Sequence, residues 1–459
     1  MTAESVVPAD LLTPMLEALG PGLSPNVRVV GTGSLPSAFR VSDLAAAAIA
    51  AAGLCLDRLA GNDGPEPRRP IVVDRDLASH WFHLSLRPDG WALPSPWDPL
   101  SGDYQTSDGW IRLHTNAPHH RAAAVKLLGV APDRDPVAEA VGRWTADELE
   151  QAVVAAGGAA AAMRSIEQWH QHPQGRSVRD EPLMWHESTG RAAQHRDLTG
   201  AGTPRPLAGV RVLDLTRVLA GPVATRLLAG WGAGVLRIDP PDWDEPGVVP
   251  EIMVGKKTAR LDLRIDVHRE RFTQLLSGAD VLVHGYRADA LENLGFGQRV
   301  RDDIRPGLID VALDAYGWTG PWSRRRGFDS LVQMSCGIAE AGMRAYRRDR
   351  PTPLPVQALD HATGYLTAAA TIRGLADRRE NGLGSRWRVS LARTAELLID
   401  GGPPERPGGA PLAEPGLMEA IEDTTWGPAR RIDPPLIVAG APLRWDRPAR
   451  AIGTDDASW

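Results

Sequence analysis

The sequence predicts an α/β fold, in which a large domain with a doubly wound, mostly parallel sheet (Rossmann-like) accompanies a smaller α+β domain. From residue 210 onward, short apolar runs alternate with helical segments, which is the order of a parallel sheet with crossover helices. The composition, 43% hydrophobic and 24% charged, is that of an ordinary globular chain. A length of 459 residues exceeds one compact core, so more than one unit is expected.

Short apolar runs in the second half predict the strands of the large domain. In chain order these are Val210–Leu215, Val235–Ile238, Leu261–Leu263, Val281–Val283 and Ile309–Leu313. Helical periodicity at Pro222–Ala229 and at Val267–Leu276 places helices between them. Ligands of such sheets bind outside the carboxyl ends of the strands.

The first half of the chain shows a different order of elements. It predicts a helix at Asp43–Leu59, a strand at Ile71–Val73, a strand at Gly109–His114, and helices at Arg121–Leu128, Val137–Trp144 and Asp147–Ala156. A polar stretch at 187–209, bearing Gly and Pro, predicts the main boundary. We therefore expect one unit at 1–200 and a second at 201–459.

Charge and cysteine content exclude several classes of function. The net charge of −6 offers no global positive field to nucleic acid or to an anionic membrane. The most apolar stretch, Leu44–Leu56, is shorter than the roughly 20 residues that span a bilayer. Two distant cysteines, Cys55 and Cys336, form neither a disulfide framework nor a metal cluster. These features, with no signal peptide pattern at the start, predict a cytoplasmic protein without a metal site.

One segment of the chain resembles another. Residues 39–61 can be laid on residues 356–378, which sets Asp43 on Asp360, and each copy is followed by a turn, a strand and a helix start. This order favours an internal duplication. An aspartate before a helix can also act as its N-cap, which needs no chemistry, and this interpretation stays open for both residues.

The segment that begins at Pro206 resembles the opening of the class III CoA-transferases, the family of formyl-CoA and carnitine CoA-transferases. Its sequence is PLAGVRVLDLTRVLAGPVATRLLAGWGAGVLRIDPP. In that resemblance a strand leads into DLTRVLAGP at a helix start, and the next strand carries a basic residue. Helix starts favour anions, and arginines neutralise phosphates. The resemblance implies that Arg217 and Arg237 bind coenzyme A.

Further blocks follow in the order of that family. Gly255-Lys256-Lys257 resembles its Gly-Lys turn, and VLVHGYRADALENL at 281–294 resembles a strand-turn-helix block that keeps Arg287. YGWTGP at 316–321 resembles its glycine-rich turn. The resemblance adds Lys256, Arg287, Gly317 and Gly320 to the CoA-binding candidates, the two glycines as N–H donors to an oxyanion.

The segment LDHATG at 359–364 resembles the part of the family that holds its nucleophile, which assigns that role to Asp360. The implied activity is acyl-CoA:carboxylate CoA transfer through an aspartyl-CoA thioester. Its substrates are an acyl-CoA and a small organic acid, so coenzyme A enters as part of a substrate, and neither metal nor ATP is needed.

Two other functions stay open. A racemase acting on α-methylacyl-CoA is similar in sequence, but Phe328 stands where a proton-transferring histidine is expected. A non-catalytic CoA-binding or partner paralogue fits the altered residues His284-Gly285 and Met253-Val254, which lie at expected CoA-lining positions.

The order of the family-like parts is unusual. DGWI at 108–111 and EQWHQHPQGRSV at 167–178 resemble the small domain of the family, yet they precede the large domain. The segment 424–449 resembles the closing segment of the family. We therefore expect residues 1–200 to be a partial family copy, and the assembly to be a homodimer, or a monomer that imitates the interlocked family dimer.

Overall fold

The computed structural model describes residues 4–5, 8–60, 70–192, 205–286, 289–406 and 408–459. Its helices are α1 (Ala9–Leu19), α2 (Val41–Leu59), α3 (Arg75–Trp81), α4 (Pro118–Leu128), α5 (Arg134–Val141), α6 (Ala146–Ala155), α7 (Ile166–Gln171), α8 (Pro173–Asp180), α9 (Ala220–Gly230), α10 (Val249–Ile252), α11 (Asp266–Ser277), α12 (Ala290–Asn293), α13 (Gln298–Ile304), α14 (Asp329–Ser335), α15 (Ile338–Ala345), α16 (Ala358–Asn381) and α17 (Leu391–Asp400).

The strands in chain order are β1 (Glu4–Ser5), β2 (Val27–Val30), β3 (Ile71–Asp74), β4 (Leu86–Pro88), β5 (Gly102–Gln105), β6 (Trp110–Leu113), β7 (Ala160–Ala162), β8 (Trp185–Arg191), β9 (Arg211–Leu215), β10 (Gly234–Asp239), β11 (Lys256–Arg260), β12 (Val281–His284), β13 (Ile309–Asp314), β14 (Leu383–Ser390), β15 (Glu422–Thr424), β16 (Gly427–Arg431) and β17 (Leu436–Ile437).

The largest sheet has the order β11-β10-β9-β12-β13-β14-β8. All neighbouring strands are parallel except the edge strand β8, which runs antiparallel to β14. The expected mixed α/β fold with a mostly parallel sheet is confirmed. The chain order of the strands reverses between β9 and β12, and such a reversal opens a crevice at the carboxyl ends of the two strands.

One expected strand of this sheet was placed wrongly, and a polar stretch contributes an edge strand. The strand expected at Leu261–Leu263 lies earlier, at Lys256–Arg260, because the polar run KKTAR pairs with β10 while the two leucines turn into the core behind it. The first residues of the polar stretch at 187–209, where the boundary between units is predicted, belong to β8, which pairs with β14. An exposed edge strand tolerates polar residues on both faces. Its amino-acid composition therefore resembles that of a linker.

A smaller sheet in the first half has the order β1-β2-β3-β17. Strands β2 and β3 are parallel and joined through α2, and β17 comes from the far end of the chain to pair antiparallel with β3. Likewise β4 pairs with β16, which pairs with β15. Segments from both expected units therefore complete each other's sheets.

The predicted small α+β unit corresponds to a separate three-stranded sheet, β5-β6-β7, covered by α4, α5 and α6. This unit has a separate hydrophobic core, which includes the buried residues Leu100, Ile111, Val137 and Leu149. Strand β7 and the loop after it pack against α14, so this unit rests on the part of the chain that follows β13. The small unit is thereby held beside the carboxyl ends of the large sheet.

Helices α2 and α16 pack against each other along their lengths. Both are rich in alanine, and almost every residue of each is buried, which lets the two backbones approach closely. Helix α9 approaches α16 from another side at Gly364, where a Cβ would fall against the carbonyl oxygen of Ala220. These helices form the centre of the molecule. Among the described residues, no helix has both the length and the apolar character to cross a membrane.

A buried ionic cluster joins distant parts of the chain beside this centre. The Glu251 carboxylate accepts hydrogen bonds from Arg226, from Arg431 at 3.1 Å and from the Ser85 hydroxyl at 2.7 Å. The Leu86 N–H donates to the same carboxylate at 2.9 Å. Although burial opposes ionisation, the two arginines and these donors lower the pKa of Glu251 to about 2. The cluster therefore stabilises the fold only while Glu251 is charged.

We expect Glu251→Gln to lower the free energy of unfolding by about 3 kcal/mol near neutral pH, because two buried guanidinium groups lose their counter-charge. The folded pKa of about 2 lies below the ordinary value of 4.5. The wild type therefore has the full contribution above pH 4.5 and loses it as the pH falls toward 2, while the variant has none to lose. Urea unfolding at several pH values measures both effects.

The matched control is Glu419→Gln, a change at an exposed glutamate. It should leave the free energy of unfolding unchanged within about 0.5 kcal/mol. An equal loss in both variants would show that the cluster contributes nothing specific.

Candidate active site

The carboxyl ends of the large sheet open into a cleft of about 380 Å³. Its floor is formed where β9, β12 and β13 end, at Leu215, Gly285 and Leu313. Its walls come from the turn before α9, the loop before α14, the start of α16 and the start of α4 in the small unit. We call this the Asp360 cleft, because Asp360 lines it. Its place is the one at which open α/β sheets bind ligands.

Asp360 lies in the first turn of α16 with 7% of its surface exposed. Its backbone N–H donates to the Asp329 carboxylate at 2.9 Å. The helix begins after Gln357, whose side chain forms no cap. The interpretation of Asp360 as an N-cap is therefore wrong, since Asp329 accepts from the helix start and leaves the Asp360 carboxyl facing the cleft.

The two carboxyl groups influence each other's ionisation. Burial, and then the charge of Asp329, raise the pKa of Asp360 well above its usual value. Burial also raises the pKa of Asp329 to about 6, against the opposing effect of the N–H groups of Asp360 and Leu359 and the Gln333 amide. Asp360 therefore holds its proton more tightly than a surface aspartate does, and it releases the proton more readily when Asp329 is neutral.

Arg217 is the cation that the turn after β9 brings into the cleft. Its guanidinium lies over the Trp243 ring at 4.6 Å and the Tyr286 ring at 5.2 Å, and donates to the Tyr286 hydroxyl at 3.1 Å. No carboxylate of the described part of the chain forms an ion pair with it. This charge is available to an anionic ligand.

Arginines 324–326 line the opposite wall. Arg325 pairs with Glu150 at 3.0 Å and lies over the Trp322 ring at 3.9 Å. Arg326 donates to the carbonyl oxygen of Gly157 at 2.8 Å. These contacts tie the wall to the small unit, while Arg324 is exposed.

Arg237 and Lys256 do not line the cleft. Arg237 is fully buried between Asp239 and Glu245, each 2.8 Å away. Lys256 is also buried, with Asp214 at 3.2 Å and the Pro222 carbonyl oxygen at 3.0 Å. Burial lowers the pKa of Lys256 to about 8, although Asp214 opposes this. Both cations brace the strand ends beneath the turn that carries Arg217.

The predicted glycine turn is also away from the cleft lining. Gly317 and Gly320 have φ angles of 98° and 79°, and the space where a Cβ would stand is filled by Glu181 and by Ser177. The Gly317 N–H donates to the Asp314 carboxylate at 2.9 Å. Arg287 lies outside the described residues. Of the expected CoA-binding residues placed by the structure, the cleft therefore contains Arg217 alone.

Val218, next to Arg217, has a φ of 64°, which is costly for a β-branched residue. Its N–H donates to Glu245 at 2.6 Å, and the other oxygen of Glu245 accepts from Arg237. Arg237 thus reaches the cleft indirectly, because it fixes the glutamate that holds this turn. No sequence pattern indicates this strain, because Val-Leu-Ala is typical of an ordinary helix start.

Asp43 occupies the same position in α2 that Asp360 occupies in α16, the third residue of the helix. It lines a separate cleft of about 460 Å³ with Arg40 and Arg75. Its carboxylate pairs with Arg75 at 2.8 Å and with Arg40 at 3.0 Å, and it does not cap α2. The capping interpretation of Asp43 is therefore wrong, and its carboxylate is fully engaged by two arginines.

The residue after Asp360 packs in the interior of the protein. His361 is buried and stacks on Phe82 at 5.1 Å between ring centroids. Within the described residues, no group of three or more His, Cys, Asp or Glu side chains is arranged to hold a metal ion.

Comparisons with known proteins point to one class, the CoA-transferases. An acetyl-coenzyme A transferase of Hypoxylon pulicicidum, nodX, is 37% identical over 42% of this chain and 34% of its own length. An acyl-CoA transferase of Gibberella moniliformis is 30% identical over 65% of this chain and 56% of its own length. The mouse succinyl-CoA:glutarate CoA-transferase is 32% identical over 39% of this chain and 44% of its own length. The chain thus spans about a third to a little over half of each relative.

The family model that matches is CoA-transferase family III, over residues 207–419. This confirms the resemblance over the matched residues, which include β9, Arg217 and Asp360. The crystal structure of Rv3272 from Mycobacterium tuberculosis is 29% identical over 43% of this chain and 58% of that chain, with a TM-score of 0.38.

We expect Asp329→Asn to lower the pKa of Asp360, because it removes the negative charge that helps to raise it. The asparagine oxygen still accepts from the start of α16, so the helix is retained. A carboxyl ¹³C NMR titration of the aspartate-labelled protein, assigned with Asp360→Asn, measures the shift.

Asp349→Asn, at an exposed position that does not line the cleft, is the control and should leave the titration of Asp360 unchanged. A higher pKa for Asp360 in the Asp329→Asn protein would contradict the repulsion described above.

Proposed function

We propose that the protein is an acyl-CoA:carboxylate CoA-transferase and that Asp360 is its nucleophile. The observation that carries the proposal is the buried carboxyl of Asp360, which lines the cleft and forms no ion pair with a cation among the described residues. A carboxylate with a cation partner is a weak nucleophile, whereas a desolvated one without such a partner is reactive. The family III region and the names of the relatives support the same class of enzyme.

The proposed reaction begins with the ionised Asp360 carboxylate, which attacks the thioester carbonyl of an acyl-CoA. A C–O bond forms, the C–S bond breaks, and the CoA thiolate leaves a mixed anhydride. The thiolate then attacks the aspartyl carbonyl, which releases the acyl group as a carboxylate and forms an aspartyl-CoA thioester. The acceptor carboxylate repeats these two steps in reverse, so the charges balance without ATP, a metal or a net proton.

Residues around the nucleophile are proposed to divide two tasks. Arg217, with Trp243 and Tyr286 beneath its guanidinium, holds an anionic part of coenzyme A. Arg237 and Lys256 act indirectly, by holding the ends of β9 and β10 in a Rossmann-like arrangement. Roles for Arg287, Gly317 and Gly320 in CoA binding stay as proposals from the family resemblance.

The acceptor is proposed to be a small organic acid. Relatives named for glutarate, D-citramalate and L-malate suggest dicarboxylates, and the arginines lining the cleft suit a second carboxylate.

We also propose that residues 1–200 are a partial family copy. The shared position of Asp43 and Asp360 in two helices that pack together supports the duplication. Such a chain imitates within one molecule a contact that a homodimer makes between two, although a homodimer remains the other proposed state. Two buried, unpaired cysteines suit a cytoplasmic location.

We expect wild-type protein incubated with a panel of acyl-CoAs to gain a covalent acyl or CoA adduct by intact-protein mass spectrometry. Hydroxylamine should convert the adduct into a hydroxamate at Asp360, found by peptide mapping. Asp360→Ala should form no adduct, because the nucleophile is absent.

Asp43→Ala is the matched control, since it removes the aspartate at the same position of the other helix. It should form the adduct at Asp360 as the wild type does. An adduct that persists in Asp360→Ala, or a wild type that binds coenzyme A but never forms an adduct, would reject Asp360 as the nucleophile.

A further inference from the structure

The small unit contributes a histidine to the Asp360 cleft that the proposed mechanism has not used. His120, in the first turn of α4, lines the cleft with only 3% of its surface exposed. Neither of its ring nitrogens has a hydrogen-bond partner among the described residues. A buried polar atom left without a partner is costly, and proteins retain such an atom where a ligand or water satisfies it.

The surroundings of His120 keep its ring neutral. It packs edge-on against Phe328 at 5.8 Å and against His119 at 4.2 Å. Burial, followed by His119 and Arg326, lowers the pKa of His120 to about 3. At the pH of a cell the ring therefore offers one N–H donor and one lone pair.

A short chain of contacts connects His120 with the nucleophile. The ring of His120 touches Phe328, and Phe328 directly precedes Asp329. Asp329 in turn accepts the N–H of Asp360. His120 and Asp360 therefore line the same cleft, which Arg217 and Trp243 also line from the side of β9.

Other donors in this region are committed or stand elsewhere. Arg325 has a buried Nε without a partner among the described residues, but its Nη2 contacts both Glu150 and the Ala160 carbonyl oxygen. The indole N–H of Trp243 is likewise unpaired, but its ring lies under Arg217. The Gly317 N–H, expected to face an oxyanion, donates to Asp314 instead.

We propose that His120 donates its ring N–H to the carbonyl oxygen of the acyl group that Asp360 attacks. The proton stays on the imidazole, and the hydrogen bond strengthens as negative charge develops on that oxygen. This inference rests on the proposed CoA transfer and adds to it a donor from the small unit. The large sheet alone then lacks a complete site, because the oxygen of the tetrahedral intermediate is held by α4.

The test compares His120→Phe, which keeps an aromatic ring against Phe328, with His120→Gln, which returns an N–H donor. Lys126→Gln, on the exposed face of α4, is the control. Rapid-quench mass spectrometry with acetyl-CoA and succinyl-CoA gives the rate of adduct formation, and calorimetry with free CoA gives the affinity.

We expect the phenylalanine variant to form the adduct about 100-fold more slowly, as when an oxyanion donor is removed. The glutamine variant should recover most of that rate, within about tenfold of wild type. Affinity for free CoA should change by less than about twofold in both, because the proposed bond goes to the acyl group alone. The lysine control should match the wild type in rate and affinity.

Each contrary result has a distinct meaning. An unchanged adduct rate in His120→Phe, or a parallel loss of rate and CoA affinity, would overturn the role of His120 and leave the transferase proposal standing. No recovery by glutamine would likewise overturn a donor role. A wild type that forms no adduct with either thioester would overturn both proposals.

Discussion

The close packing of α2 on α16 is the constraint on which the rest of the molecule depends. Both helices are buried on nearly all sides, and their alanines let two backbones meet where larger side chains would hold them apart. Helix α16 also contacts α9, β13 and β14, so its position fixes the large sheet and the first half of the chain at once. Because Asp360 sits in the first turn of α16, the same packing sets the depth of the cleft.

The ionisation of the carboxyl groups at the cleft depends on the exclusion of water by this packing. Water is kept from Asp360 and Asp329, and the start of α16 is satisfied by one carboxylate rather than by solvent. On the other side, Glu245 joins the buried Arg237 to the strained Val218. Asp329 therefore stabilises the start of the helix that carries Asp360, and Glu245 stabilises the turn that carries Arg217.

The sequence predicted the features that depend on periodicity and order. Alternating strands and helices predicted the parallel sheet, and the LDHATG segment led to a residue that does line the cleft. The sequence did not predict which cations line the cleft. Arg237 and Lys256 are instead paired with Glu245 and Asp214, and these ion pairs depend on tertiary contacts. Asp329 and His120 were missed for the same reason. Asp329 matters because it accepts a hydrogen bond from Asp360, which is distant in sequence, and His120 matters because its buried ring nitrogens have no hydrogen-bond partner among the described residues.

The strands at 427–437 also bear on how the chain is made. They pair with β3 and β4, whose residues leave the ribosome more than 300 positions earlier. The first sheet therefore has unpaired edges throughout most of synthesis, and exposed edges invite aggregation. Pairing at such separation in sequence also slows folding. The sheets of the first half can therefore be completed only after residues 427–437 have been synthesised.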